Sequence, residues 1–258
     1  MKTCPYVFFL DIDGTILYNG TVSEKTKIII AKARSLGNKV VICSGRSRAN
    51  AKAVLGPIEI DGWITNIGTC VEIDNNVIFR AAFTKCELKS IFHIFENEKT
   101  GIIFDGEEHR IYNVFCNNKN EKYIVNNTSE LLKCFKKEKV AKCLYSGVLN
   151  AKLADKISKK YELFQHKTYA EFCKKGFSKQ FGMEKVMQYY NIPIENSFAI
   201  GDSINDLDML RIAGISIAMG NAPEIVKSEC DYVTLNVCED GVSYAMEQFL
   251  KNKDFLKD

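Results

Sequence analysis

The sequence predicts an α/β protein: a doubly wound, parallel-sheet core interrupted by an inserted α+β segment. Three observations carry that prediction. Apolar runs and amphipathic stretches alternate through the first eighty and last eighty residues, the rhythm of parallel βαβ units. The runs are continuous rather than alternating, as strands covered on both faces should be. Residues 83–177 follow another order, αββ–αβ–αββ, and carry a net charge of +6 against −3 for the remainder, within an overall +3. The 258 residues suffice for one large domain or two modest ones. The pattern divides them into a core of two segments, 1–82 and 178–258, around an insert at 83–177.

Each element has a local reason. Residues 6–10 (YVFFL) read as a buried strand, followed by a turn at Asn19-Gly20. Ser23 is placed to cap a helix running to about Leu36, which Gly37 closes. Lys39–Cys43 (KVVIC) is the second strand, residues 47–55 the second helix before Gly56-Pro57, and Trp63 heads a third strand. In the insert, the expected helices are 84–98, 128–136 and 150–161. The expected strands there are 101–105, 109–115, 139–145, 162–166 and 168–172. The Asn/Lys-rich stretch 117–127 reads as a loop or hairpin tip. The chain then returns to helix 179–190, strand 197–200, a helix near 205–212, strand 215–219, a helix near 223–228 and strand 232–234.

Composition excludes several classes. A charge of +3 is too small to argue for nucleic acid or an anionic membrane surface. Ten cysteines are too few for a disulfide scaffold of this length and form no C-x-x-C pair, so zinc and dithiol chemistry are not expected. They suit a reducing compartment. The apolar run at 6–10 stops at Asp11 and Asp13, too short for a signal-peptide core, and no later run approaches the ~18 residues of a membrane helix. A cytoplasmic location is the expectation.

The chemistry concentrates beyond strand ends, where open α/β sheets place their ligands. Asp11-Ile12-Asp13-Gly14-Thr15 follows the first strand, with Gly14 free to turn backbone N–H groups toward an anion. Ser44-Gly45-Arg46 follows the second and offers a hydroxyl and a glycine N–H at a helix start, a small phosphate cradle. Gly201-Asp202-Ser203-Ile204-Asn205-Asp206 follows the strand at 197–200 and supplies hard oxygen donors of the kind Mg²⁺ takes. Lys179 opens the helix leading into it, where the helix dipole disfavours a cation. Taken singly, the first is also an Asx-capped strand end, the second a serine-capped helix start, and the third an acidic helix N-terminus. Taken in order, they describe one phosphate-handling, metal-binding site.

These motifs resemble those of the haloacid dehalogenase-like (HAD) superfamily: DIDGT its first motif, Ser44 its second, Lys179 its third and GDSIND its fourth. The likeness is nearest to the Cof-type subfamily, whose type IIB cap lies where the insert does, and it covers essentially the whole chain. The resemblance implies a HAD-like (Rossmannoid) core with an inserted α+β cap, and a Mg²⁺-dependent phosphatase of small phosphorylated metabolites. Sugar phosphates, or cofactor phosphates such as pyridoxal phosphate or FMN, are the implied substrates. It implies Asp11 as the nucleophile that forms an aspartyl-phosphate and Asp13 as acid and base. Mg²⁺ would be held by Asp11, the main-chain carbonyl of Asp13 and Asp202. Ser44, Gly45, Lys179 and Asn205 would bind the phosphate, and Asp206 would stand behind the metal ligands. Arg46 is expected to brace its loop or face the cap. Two departures stand out: Ser44 where the family commonly has Thr, and Asn66-Ile67-Gly68 where it usually has Asn-Gly-Ala.

The other candidates receive plainer readings. His93, His109 and His166 lack metal-ligand spacing and are expected at surface or packing positions. Trp63 is expected in the core, Cys43 as a small buried apolar residue, and the basic run 133–139 at the solvated end of a helix. Two alternatives stay open: a phosphosugar mutase, and a phospho-aspartate signalling or metal-dependent binding module. Oligomeric state is not readable from the sequence.

Overall fold

The computed structural model describes residues 4–107, 109–116, 123–136 and 139–251. The chain folds as two compact units: Met1–Arg46, Asn50–Phe79 and Ser178–Asp258 form one, and Ser47–Ala49 with Arg80–Phe177 the other. In chain order the elements begin with β1 (Val7–Leu10), α1 (Glu24–Ser35), β2 (Lys39–Cys43), α2 (Arg48–Leu55), β3 (Gly62–Thr65), β4 (Cys70–Ile73) and β5 (Asn76–Arg80). There follow α3 (Lys85–Asn97), β6 (Ile103–Gly106), β7 (Arg110–Asn113), β8 (Ile124–Val125), α4 (Thr128–Cys134), β9 (Val140–Ser146), α5 (Ala151–Ser158), β10 (Tyr161–Gln165) and β11 (Tyr169–Lys174). The chain ends with α6 (Lys179–Tyr190), β12 (Ser197–Gly201), α7 (Leu207–Ile212), β13 (Ile215–Ala218), α8 (Glu224–Lys227), β14 (Tyr232–Val233) and α9 (Gly241–Lys251).

The first unit is built on a sheet of order β14-β13-β12-β1-β2-β3-β4-β5. The six strands from β14 to β3 pair in parallel, and β4 turns back antiparallel to β3. Alternation sends Phe8, Leu10, Val40, Ile42 and Ile200 to one face, against α1, α2 and α9. Val7, Phe9, Val41, Ala199 and Ala218 go to the other, against α6, α7 and α8. A strand buried on both faces has no polar position to spare, which is why these runs read as unbroken apolar sequence. Chain order runs outward from β1 to β3 in one direction and from β12 to β14 in the other. The direction therefore reverses between β1 and β12, the point where such sheets open a crevice at the strand ends.

The second unit has a six-stranded sheet of order β10-β11-β9-β6-β7-β8. One face, with Phe104, Cys143 and Phe172, packs against Phe92 and Phe95 of α3, Leu131 of α4 and Leu153 of α5. Thr84 and Glu87 cap α3 reciprocally, Thr84 accepting from the Glu87 N–H and the Glu87 carboxylate from the Thr84 N–H. On the other face Asp105, Lys142 and Glu171 form a buried ionic group.

Several sequence expectations shift here. The hairpin of β4 and β5 was not expected; its signal is Asp74-Asn75, both in the left-handed region (φ 50° and 64°), as a tight hairpin turn demands. Helix α9 was also missed, although Val242, Ala245, Met246 and Phe249 give it an apolar stripe at helical spacing. In the stretch read as a loop, residues 117–122 lie outside the described residues. Ile124 and Val125 are a short strand parallel to β7, because the Val125 side chain joins the core. Part of the basic run, residues 137 and 138, also lies outside the described residues. Trp63 and Cys43 are buried, as expected.

Candidate active site

Residue placement begins with the register of the sheet. Leu10 pairs with Ile200 and the Asp11 N–H donates to the Ile200 carbonyl at 3.2 Å, so Asp11 leaves β1 level with the end of β12. Just past that end the Ile204–Asp206 turn is closed by Asp206. Its Oδ2 accepts from the N–H groups of Asp202 (3.2 Å) and Ser203 (3.0 Å), fixing both residues in one conformation. Gly14 has φ +81°, and a Cβ there would lie 2.3 Å from Asp202 Oδ2. Only glycine lets the two loops meet this closely.

Lys179 ties the loops together. It is 1% exposed, and its Nζ donates to Asp11 Oδ1 at 2.7 Å, to Asp206 Oδ1 and to Asn205 Oδ1 at 3.5 Å. Its unfavourable place at the start of α6 is thus explained by two carboxylates that outweigh the helix dipole. The close approach of α6 also constrains the turn after β3. Asn66, Ile67 and Gly68 all have positive φ, and a Cβ on Gly68 would meet the Ser178 carbonyl oxygen at 1.8 Å. A β-branched residue in the left-handed region, as Ile67 is, is a strained choice.

One ammonium does not balance three carboxylates. Asp11, Asp202 and Asp206 present oxygens that all lie within 4.8 Å of one another. Burial is the largest influence on Asp11 and raises its pKa; Lys179 pulls it down, while Asp206 and Asp202 add to the rise. Burial and Asp206 push Asp202 up to about 6. Burial works against the Lys179 ammonium, but Asp11 and Asp206 prevail and hold its pKa well above the usual value. This oxygen-only set with surplus negative charge fits a hard divalent cation such as Mg²⁺. Burial pushes the neighbouring Cys43 thiol well up, as suits an inert packing residue rather than a nucleophile.

The structure therefore brings Asp11, Lys179, Asn205 and Asp206 into direct contact, with Asp202 beside them. Ser44 stands on the next loop, after β2; its N–H donates to the Ile64 carbonyl at 2.8 Å and its hydroxyl accepts from the Arg46 N–H at 3.2 Å. Gly45 lies between them in that turn. Asp13 is held from the neighbouring loop: Arg46 grips it through Nε (2.7 Å) and Nη2 (2.6 Å), a two-pronged pair that sequence reasoning did not anticipate. Its only signal is that the two loops leave neighbouring parallel strands. Thr15, the last residue of the first motif, and Asn221 both hydrogen-bond Asp202.

Among the described residues, the histidines take no part in a metal cluster. His93 pairs with Glu96 at 2.9 Å, His109 meets the Tyr123 ring, and His166 stacks on Tyr169 while contacting Glu171. No helix of the described chain is long and apolar enough to cross a membrane.

The chain is 26% identical over 275 residues to the 5-amino-6-(5-phospho-D-ribitylamino)uracil phosphatase YitU of Bacillus subtilis (strain 168), covering 96% of this chain and 99% of that protein. It is similar to the HAD subclass IIB sugar phosphatase BT4131, with 26% identity, a TM-score of 0.77, and coverage of 95% of this chain and 98% of that one. BT1666 from Bacteroides thetaiotaomicron, a HAD superfamily phosphatase, shares the fold at a TM-score of 0.83 and 24% identity, over 95% of each chain. Residues 8–246 match the haloacid dehalogenase-like hydrolases, and the chain belongs to that family.

Proposed function

We propose that this hydrolase is a Mg²⁺-dependent phosphatase of small phosphorylated metabolites that works through an aspartyl-phosphate on Asp11. The observation that carries the reading is the group of buried Asp11 and Asp206 and half-buried Asp202 around a single Lys179, at the switch point of a parallel sheet. Asp11, Asp202 and the Asp13 carbonyl would hold the ion. Asp206 positions them, since its oxygens are already engaged by Lys179 and by the N–H groups of Asp202 and Ser203. Bound Mg²⁺ supplies the charge neutralisation that lets a carboxylate approach a phosphate dianion.

The chain's own residues do the rest. An Asp11 carboxylate oxygen forms a bond to phosphorus as the ester P–O bond breaks. Asp13 gives its proton to the departing alkoxide, then takes one from the water that attacks phosphorus and frees Asp11 and inorganic phosphate. Ser44, the Gly45 N–H, Asn205 and Lys179 bind the non-bridging oxygens, where charge redistributes in the transition state. Residues 1–82 and 178–258 constitute the catalytic core and 83–177 the cap that selects the leaving group. Sugar phosphates and cofactor phosphates are the substrate class, supported by the phosphoribityl and sugar substrates named for relatives. The setting is cytoplasmic.

Two other readings are less well supported. A phosphosugar mutase must keep water from the aspartyl-phosphate, whereas the relatives named above are phosphatases. A signalling module needs no acid two residues after its phosphorylated aspartate, yet Asp13 stands there. The test is hydrolysis of para-nitrophenyl phosphate. Asp11→Asn should lower the rate by about four orders of magnitude or more, and chelation with EDTA should abolish it until Mg²⁺ is restored. Full activity in either experiment overturns the mechanism. Release of phosphate from hexose 6-phosphates without a bisphosphate activator decides against the mutase.

A further inference from the structure

We propose that Asn221 is a positioning residue for the cation site: it holds the Asp202 carboxylate in one orientation and locks the 11–15 loop against it. The inference rests on the metal-dependent reading above and goes beyond it by naming what orients the ligand.

The observation is a set of hydrogen bonds made by one side chain to three loops. Asn221 Nδ2 donates to the Gly14 carbonyl at 2.9 Å and to Asp202 Oδ2 at 3.4 Å. Its Oδ1 accepts from the Val237 N–H at 2.9 Å, which fixes which end of the amide faces Asp202. The residue itself is held by its loop, the Ala222 N–H donating to the Met219 carbonyl at 2.9 Å and the Gly220 N–H to the Leu235 carbonyl at 3.0 Å. The other Asp202 oxygen, Oδ1, accepts from the Thr15 hydroxyl at 3.4 Å. Asp202 is thus met on both oxygens by neutral donors and lies over Gly14, where no Cβ could stand.

Asp202 sits in a surplus of negative charge and takes no hydrogen bond from Lys179 among the contacts above, so repulsion from Asp206 would turn it outward. Two neutral donors resist that rotation without neutralising the carboxylate, which leaves its charge available to a cation. Donors behind a metal-ligating carboxylate commonly account for about 10–100-fold in metal affinity. Asn221 also joins the Asp13–Thr15 backbone to the same clamp, so the two loops that supply oxygens move as one body.

The test measures Mn²⁺ binding to the purified, substrate-free protein from the electron paramagnetic resonance signal of free Mn²⁺. Asn221→Ala should raise the Kd by about 10–100-fold. Val237→Pro removes the N–H that orients the Asn221 amide, at the first position of a short 3-10 turn where proline is tolerated, keeps an apolar side chain there, and should raise the Kd by a smaller factor. Circular dichroism establishes that each variant is folded; should Asn221→Ala fail to fold, Val237→Pro carries the test. An unchanged Kd in the folded variants, with tight binding by the parent, overturns this inference and leaves the metal-dependent reading intact. Absence of Mn²⁺ binding by the parent itself overturns both.

Discussion

The molecule buries charge in two places and treats it in opposite ways. In the second unit, Asp105, Lys142 and Glu171 lie on one face of the sheet, each at most 4% exposed, with Arg110 and His166 at the edge of the group. Lys142 donates to Glu171 Oε2 at 2.7 Å and lies 3.7 Å from Asp105 Oδ2, while Arg110 takes Asp105 Oδ1 at 3.0 Å. Burial by itself would raise Glu171, but Lys142 and His166 overcome it and bring its pKa down to about 2. In the first unit, three carboxylates share one lysine, and burial and mutual repulsion drive Asp11 and Asp202 upward instead. A balanced buried group is a structural fastening. An unbalanced one keeps surplus negative charge, the condition that favours a cation, and the pKa directions separate the two without reference to any family.

That contrast can be broken by removing one charge from each region. Lys142→Met leaves Glu171 buried without its lysine and Asp105 with Arg110 alone, and should destabilise the protein by about 3–5 kcal/mol, read from urea unfolding. Adding Glu171→Leu to that variant should recover much of the loss, because an apolar pair of similar volume removes the uncompensated charge. If the single substitution costs under about 1 kcal/mol, the group is not the fastening described here.

The second expectation concerns catalysis. Lys179→Met should lower kcat by about 10²–10³-fold, the usual consequence of losing one donor to developing phosphoryl charge. The third has the opposite sign from the first. Asp202→Asn in metal-free protein relieves repulsion within the carboxylate group and should stabilise the fold by about 1 kcal/mol at neutral pH while abolishing Mn²⁺ binding. Destabilisation by Asp202→Asn would mean that the first unit's charges are balanced after all.

A further effect is one of pH. Glu171 is depressed in the folded state, so its contribution is fully present above its unfolded pKa, near 4.5, and is lost as pH falls toward about 2. Unfolding free energy followed from pH 5 down to about 2 should therefore fall less steeply in Glu171→Gln than in the parent. Equal slopes would remove Glu171 from the account.

How much of this was legible beforehand follows from the physics of each part. Strand-end motifs were readable because doubly wound sheets display ligands at strand ends, so an apolar run followed by Asp, Ser or Gly carries its own address. The misplaced cation Lys179 was readable because it contradicts the helix dipole. The hydrogen bonds of Asn221 and Thr15 and the grip of Arg46 on Asp13 were not, since each depends on which loops become neighbours, and sequence spacing does not record that. Helix α9 shows the other limit: its apolar stripe is local, but it follows β14 and carries no strand-end motif. The buried ionic group of the second unit was invisible for a third reason. Asp105, Lys142 and Glu171 come from three separate strands and look in sequence like ordinary surface charges.

The central claim is that Asp11 receives the phosphoryl group, and one measurement meets it directly. Asp13→Ala protein is mixed with para-nitrophenyl phosphate and Mg²⁺, quenched in acid within the first turnover, digested and examined by mass spectrometry. The good leaving group needs no proton, so the first step proceeds while the second, deprived of its base, is slowed. The account predicts one phosphoryl group on the peptide that carries Asp11, localised to that residue and absent from Asp11→Asn. Release of nitrophenol with inorganic phosphate in equal amount, and residue 11 unmodified at every time point, would contradict it.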